Sequence, residues 1–276
     1  MRRHIGWALA SVVSLGIGGL GAASAADMPV KARPLPVPVV AVYNWTGFYI
    51  GANAGYGWGE NTNPFISFTD PGGLIGYGPY FAAGGNVFPN LKPRGFIGGG
   101  QLGVDGQWGN FVAGVVADFQ WADIKASGTA AVTPPGFVPT TQSLTQKLDF
   151  LGTARARAGF AANNWLFYGT GGVAYGEVKS SLTFSSLPVS QVFAANSNTE
   201  TRVGWAAGAG VNYGFTNWVV GLEWLHYDLG RSTVTALNIP PFAGGSLTGT
   251  QRVAGDIVRG TVSYKFNWAG PVVAKY

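Results

Sequence analysis

Hydrophobic and polar residues alternate along this chain. From Thr46 the even positions read Thr46, Phe48, Ile50, Ala52, Ala54, Tyr56 and Trp58, while the odd ones are mostly glycine. A period of two puts successive side chains on opposite faces, which is the signature of a strand and not of a helix. Seven further segments repeat it. Phe96, Leu102, Val104 and Trp108 oppose Gln101, Asp105 and Gln107, and Phe111, Val115, Phe119 and Trp121 oppose Asp118 and Gln120. Leu148, Phe150, Ala154, Ala156 and Phe160 oppose Asp149, Thr153, Arg155 and Arg157. Runs from Trp165 to Tyr175, Val203 to Phe215 and Trp218 to Trp224 (with Glu223 opposed) follow. The last sets Val258, Val262, Tyr264 and Phe266 against Arg259, Ser263 and Lys265.

The connections alternate as well. Gly109-Asn110, Asn163-Asn164 and Thr216-Asn217 are short turns of residues that tolerate a left-handed backbone. The others are expected to be long loops: Glu60–Arg94, Lys125–Gln146, Ser180–Glu200 and Gly230–Gly255. Proline cannot donate to a sheet ladder, and all 16 prolines fall outside the proposed strands. Trp45, Trp108, Trp165, Trp218 and Trp268 map to one end of the strands, and Trp58, Trp121 and Trp205 to the other. Aromatic rings at both ends are what two membrane interfaces select.

Composition sharpens the choice. Charged residues are only 11% and hydrophobic ones 47%, with 44 glycines and no cysteine, which excludes a disordered chain, a disulfide scaffold and thiol or cysteine–zinc chemistry. Arg2 and Arg3, the apolar Ile5–Leu20 stretch and Ala23-Ser24-Ala25 read as an export signal. No later stretch holds about 18 uninterrupted apolar residues, so helical spans are not expected. An exported chain that meets lipid without helices must close a sheet on itself. The predicted fold is therefore all-β: an eight-stranded antiparallel up-and-down transmembrane β-barrel with an N-terminal signal peptide. Residues 1–25 are the signal, 26–44 a Pro-rich periplasmic linker, 45–268 the outer-membrane barrel and 269–276 a tail. Without Arg2 and Arg3, the 17 basic residues fall to 15 against 12 acidic ones, a net charge of +3, which gives no reason to expect nucleic acid as a partner.

Tyr43-Asn44-Trp45-Thr46-Gly47-Phe48-Tyr49-Ile50-Gly51, continuing through Trp58, resembles the first strand of the outer-membrane immunogenic proteins of alphaproteobacteria. Asp27-Met28-Pro29 after the signal, Tyr168–Tyr175 and the closing Tyr264-Lys265-Phe266 are similar too. The resemblance implies a small OmpA-type barrel, often named a porin, in the bacterial outer membrane. Its implied partners are the outer-membrane lipid and the barrel-insertion machinery. Members commonly stop at an aromatic residue, whereas eight residues follow Trp268 here, so either Phe266 or Trp268 serves as the insertion signal.

Candidate chemistry is sparse. Gly98-Gly99-Gly100-Gln101-Leu102-Gly103 has the G-x-G-x-x-G spacing, but that motif works only between a strand and a helix. It sits here inside an alternating strand. His226 is the only histidine beyond the leader and shares a strand face with Asp228, with no nearby serine to complete a hydrolytic set. No catalytic, cofactor-binding or metal-ligating set is predicted. What remains is the charge that parity turns inward: Asp105, Asp118 and Glu223 with Arg155, Arg157, Arg259 and Lys265. Eight strands enclose a space that side chains can fill, so these residues are expected to pair as a structural network across the lumen. The expected function is non-catalytic: a surface-exposed barrel with four long extracellular loops that supports envelope integrity, its loop ligand unknown. The alternative is a narrow porin-like channel for small solutes.

Overall fold

A computed structural model describes residues 42–60, 65–69, 91–133, 139–186, 192–239 and 242–266. The signal segment, nearly all of the linker, Trp268 and the tail lie outside the described residues. The strands are β1 (Gly47–Gly59), β2 (Phe65–Thr69), β3 (Arg94–Trp108), β4 (Phe111–Val132), β5 (Thr140–Ala162), β6 (Trp165–Ser186), β7 (Val192–Phe215), β8 (Trp218–Ile239) and β9 (Phe242–Phe266). Each pairs antiparallel with its neighbour in the order β1-β3-β4-β5-β6-β7-β8-β9, and a β1–β9 ladder from Phe48↔Phe266 to Gly59↔Gly255 closes the ring. Closure of eight strands leaves no free edge over the membrane-crossing part of the ring, which a hydrocarbon environment demands. The short β2 pairs with Ser246 to Thr250 of β9, beyond the upper end of the β1–β9 ladder.

The outer face carries the apolar residues of the alternation. Phe96 is 75% exposed and Trp121 69%, an arrangement that in water would be a severe liability and against lipid is the stabilising one. Phe48 and Phe266 stack at one end of the wall, and Phe119 stacks on Phe150 at the other. Asn163 and Thr216 adopt left-handed backbone at φ 54° and 52°, and Gly109 at 62°, where the chain reverses in two residues. These tight turns mark the periplasmic end.

Four expectations need correction. First, much of the sequence read as long loops is strand. β4 to β9 are 22–25 residues long, whereas about 9–11 residues cross a bilayer. Above the membrane the facing reverses: Leu144, Leu182, Val234, Ala236 and Leu247 pack inside, while Thr129–Ser143 and Thr233–Thr250 hydroxyl pairs line the outside. Serine and threonine there are the wet face of a strand, not a loop composition.

Second, β2 lies inside the segment assigned to the first loop. Third, Leu148 and Asp149 exchange sides. A bulge between Leu148 and Phe150 adds one residue and flips parity, so Leu148 is buried inside and Asp149 faces out.

Fourth, Trp45 is not at a lipid interface. It is buried inside the periplasmic mouth, edge-on to Tyr43, with its backbone N–H donating to Gln107 Oε1 at 2.7 Å.

Candidate functional site: the charged lumen

The lumen is filled in layers. At the periplasmic end Tyr43, Trp45, Val112, Leu166, Tyr168 and Val219 form an apolar stopper. Another apolar layer, including Ile124, Leu148, Leu151, Val178, Leu225 and Ile257, occupies the lumen toward the outside. The predicted charges lie within the lumen as well, all of them buried.

Inward parity delivers each of them, and cross-strand neighbours make room. Asp105 on β3 and Arg157 on β5 are both register partners of Gly114 on β4. With no side chain between them, Arg157 Nε donates to Asp105 Oδ1 at 2.8 Å, and Nη2 meets Oδ2 in the second arm of a fork. The rings of Tyr49 and Tyr168 each lie 5.0 Å from the Arg157 guanidinium carbon, so a desolvated cation gains two π faces as well as a carboxylate.

Four of the remaining five charges form a closed ring. Arg155 donates to Asp118 Oδ2 at 2.7 Å and to Glu223 Oε1 at 2.6 Å. Arg259 donates to the same Asp118 oxygen at 2.9 Å and to Glu223 Oε2 at 2.7 Å. Thr153 and Gln120 donate to Asp118 at 2.8 and 2.7 Å. Two cations and two anions thus cancel within one cluster spanning β4, β5, β8 and β9. An enclosed charge must be paired and hydrogen-bonded to be tolerated, and these are. Lys265 belongs to the lumen but makes no ion pair with a described carboxylate. It donates to the Asn44 carbonyl and lies 4.8 Å from the Tyr43 ring centre.

Sequence reasoning missed Tyr49, Tyr168, Thr153 and Gln120 as partners. Each was at inward parity, which was the available signal. His226 faces outward, where Asp256, its register partner on β9, sits 3.0 Å from Nδ1. Asp228 instead accepts from Arg252 at 2.6 Å. Gly98–Gly103 lies inside β3, with no helix to complete a dinucleotide turn.

A closed antiparallel barrel with an apolar exterior and a charged, filled interior defines a transmembrane β-barrel. Residues 15–266 match the family described as "Outer membrane protein beta-barrel domain", and the chain belongs to that family. It is similar to the 31 kDa outer-membrane immunogenic protein of Brucella melitensis, at 35% identity over 228 residues, covering 80% of this chain and 88% of that one. The 25 kDa outer-membrane immunogenic protein of Brucella abortus is 27% identical over 224 residues, covering 77% and 83%. The crystal structure of OprG from Pseudomonas aeruginosa aligns with 81% of this chain and 98% of its own, at 13% identity and a TM-score of 0.48. Fold and relatives make this an outer-membrane protein.

Proposed function

We propose that the protein is a non-catalytic, non-conducting barrel that anchors in the outer membrane, supports envelope integrity and presents its long upper hairpins at the cell surface. The observation that carries this reading is the cluster of Asp118, Glu223, Arg155 and Arg259. Its charges are mutually satisfied across the lumen, which leaves no ring of one sign to draw an ion through. The space bordered by Ile124, Gln146, Leu148, Val178 and Tyr227 amounts to about 10 Å³, at most the room of a single water. Outward-facing His226 is held by Asp256, an arrangement that fits a structural contact as well as any chemistry.

The test is a gene deletion compared with complementation by the intact chain. Raised sensitivity to detergent with unchanged uptake of small solutes supports the reading. Normal detergent resistance with slowed solute uptake would replace it with the narrow channel.

A further inference from the structure

On the outer face, just beyond the extracellular aromatic residues, four cations stand side by side on consecutive strands. Arg94 on β3 is the register partner of Lys125 on β4, Lys125 of Lys147 on β5, and Lys147 of Lys179 on β6. Like charges directly opposite on neighbouring strands destabilise a sheet. A row of four therefore calls for anions.

The protein supplies only part of them, and only from one side. Asp123, Asp149 and Glu177 lie one outward position nearer the membrane. Lys125 meets Asp123 at 3.3 Å, Lys147 meets Asp149 at 2.7 Å, and Lys179 meets Asp149 at 2.5 Å and Glu177 at 3.4 Å. Three carboxylates serve the three lysines, and Arg94 has no ion pair with a described residue. On the side away from the membrane the next outward positions are Ser127, Thr145 and Ser181, again in register with one another. Cations flanked by a row of hydroxyl donors make a ledge suited to phosphate oxygens. The Lys125, Lys147 and Lys179 side chains keep 63%, 42% and 46% of their surface exposed. Below the ledge, across the same strands, the small side chains of Ala117 and Ala154 leave an apolar groove bordered by Ile50, Leu102, Phe119 and Tyr175.

We propose that this flank, β3 to β6, binds a phosphorylated glycolipid of the outer leaflet. Arg94, Lys125, Lys147 and Lys179 receive its phosphates, and its acyl chains lie in the groove beneath. The inference rests on the outer-membrane placement and is independent of whether the lumen conducts.

The full-length protein, refolded into nanodiscs of zwitterionic phospholipid, is titrated with three lipids: bis-phosphorylated lipid A, the same lipid without its phosphates, and phosphatidylglycerol. Retention is read by native mass spectrometry. Phosphorylated lipid A should be retained about tenfold better than either of the others. The combined Arg94→Gln, Lys125→Gln, Lys147→Gln and Lys179→Gln variant should lose that preference, and Lys125→Arg with Lys147→Arg and Lys179→Arg should keep it. If the quadruple variant does not refold, Lys125→Gln and Lys179→Gln singly carry the same test with smaller losses. Equal retention of lipid A with and without phosphates, equal retention of phosphatidylglycerol, or unchanged preference in the glutamine variants would overturn the proposal.

Discussion

Arg155 and Arg259, on strands β5 and β9, hold the same two carboxylates, those of Asp118 and Glu223. Neither arginine has a private partner, so removing any one member leaves the others unbalanced in a dry space. Glu223→Ala should therefore destabilise the refolded barrel by about 3–5 kcal/mol, and Arg157→Ala, which strands Asp105, by a similar amount. Asp123→Asn, on the exposed outer face, should barely change stability. Urea unfolding in detergent micelles, followed by tryptophan fluorescence, measures all three. Replacing Glu223 and Arg259 together by leucine should recover part of the single-variant loss.

Gly114 separates Asp105 from Arg157 in the ladder, and an added Cβ would collide with the Asp105 carboxylate. Gly114→Ala should cost about 1–3 kcal/mol by displacing the ion pair. Outward-facing Gly100 would meet only a backbone oxygen at 3.8 Å. Gly100→Ala should be close to neutral in the same unfolding experiment.

Thr216 is β-branched at φ 52°, a conformation that costs an ordinary L-residue roughly 1–2 kcal/mol. Asn163 occupies the matching place in the neighbouring turn at φ 54°. Thr216→Asn should raise stability by about 0.5–1 kcal/mol, since asparagine tolerates this region. No change, or a loss, would mean that the threonine side chain is stabilising the turn in a way the backbone geometry does not reveal.

Asp149, just above the extracellular aromatics, has its carboxyl pKa held below the usual range by hydrogen bonds from Lys147 and then Lys179. A lowered folded pKa means that its contribution to stability is complete above the ordinary carboxylate value near pH 4 and fades only as pH falls through the lower folded value. Carboxyl carbon shifts in an NMR titration should show Asp149 titrating below that ordinary value. Lys147→Gln should move its midpoint upward; an unmoved midpoint would assign the shift elsewhere.

The wall of the barrel was legible from the sequence because Phe48, Ile50, Trp121 and Leu222 face lipid at a period that nothing else explains. Inward parity likewise exposed Asp118, Arg155, Glu223 and Arg259 as lumen residues. Their shared pairing was not legible, because it depends on how far β4 and β5 are staggered against β8 and β9, strands that are not all neighbours. Asp149 was misplaced for a related reason: a bulge adds one residue without any marker in composition. Trp45 was misread because an indole at a strand end suits both a membrane interface and a packed barrel mouth. The upper strands were hidden by their chemistry, since serine and threonine on a wet sheet face look like a loop until the register is seen.

The filled lumen is the central claim, and ion conductance tests it most directly. Refolded full-length protein in a planar bilayer should give no steady unitary current in molar salt, and Glu223→Ala with Arg155→Ala, which removes two members of the ring, should still conduct little because the apolar layers remain. Steady unitary conductance in the unaltered protein, changing in size when Arg155 or Arg157 is neutralised, would contradict the filled lumen and establish a channel in its place.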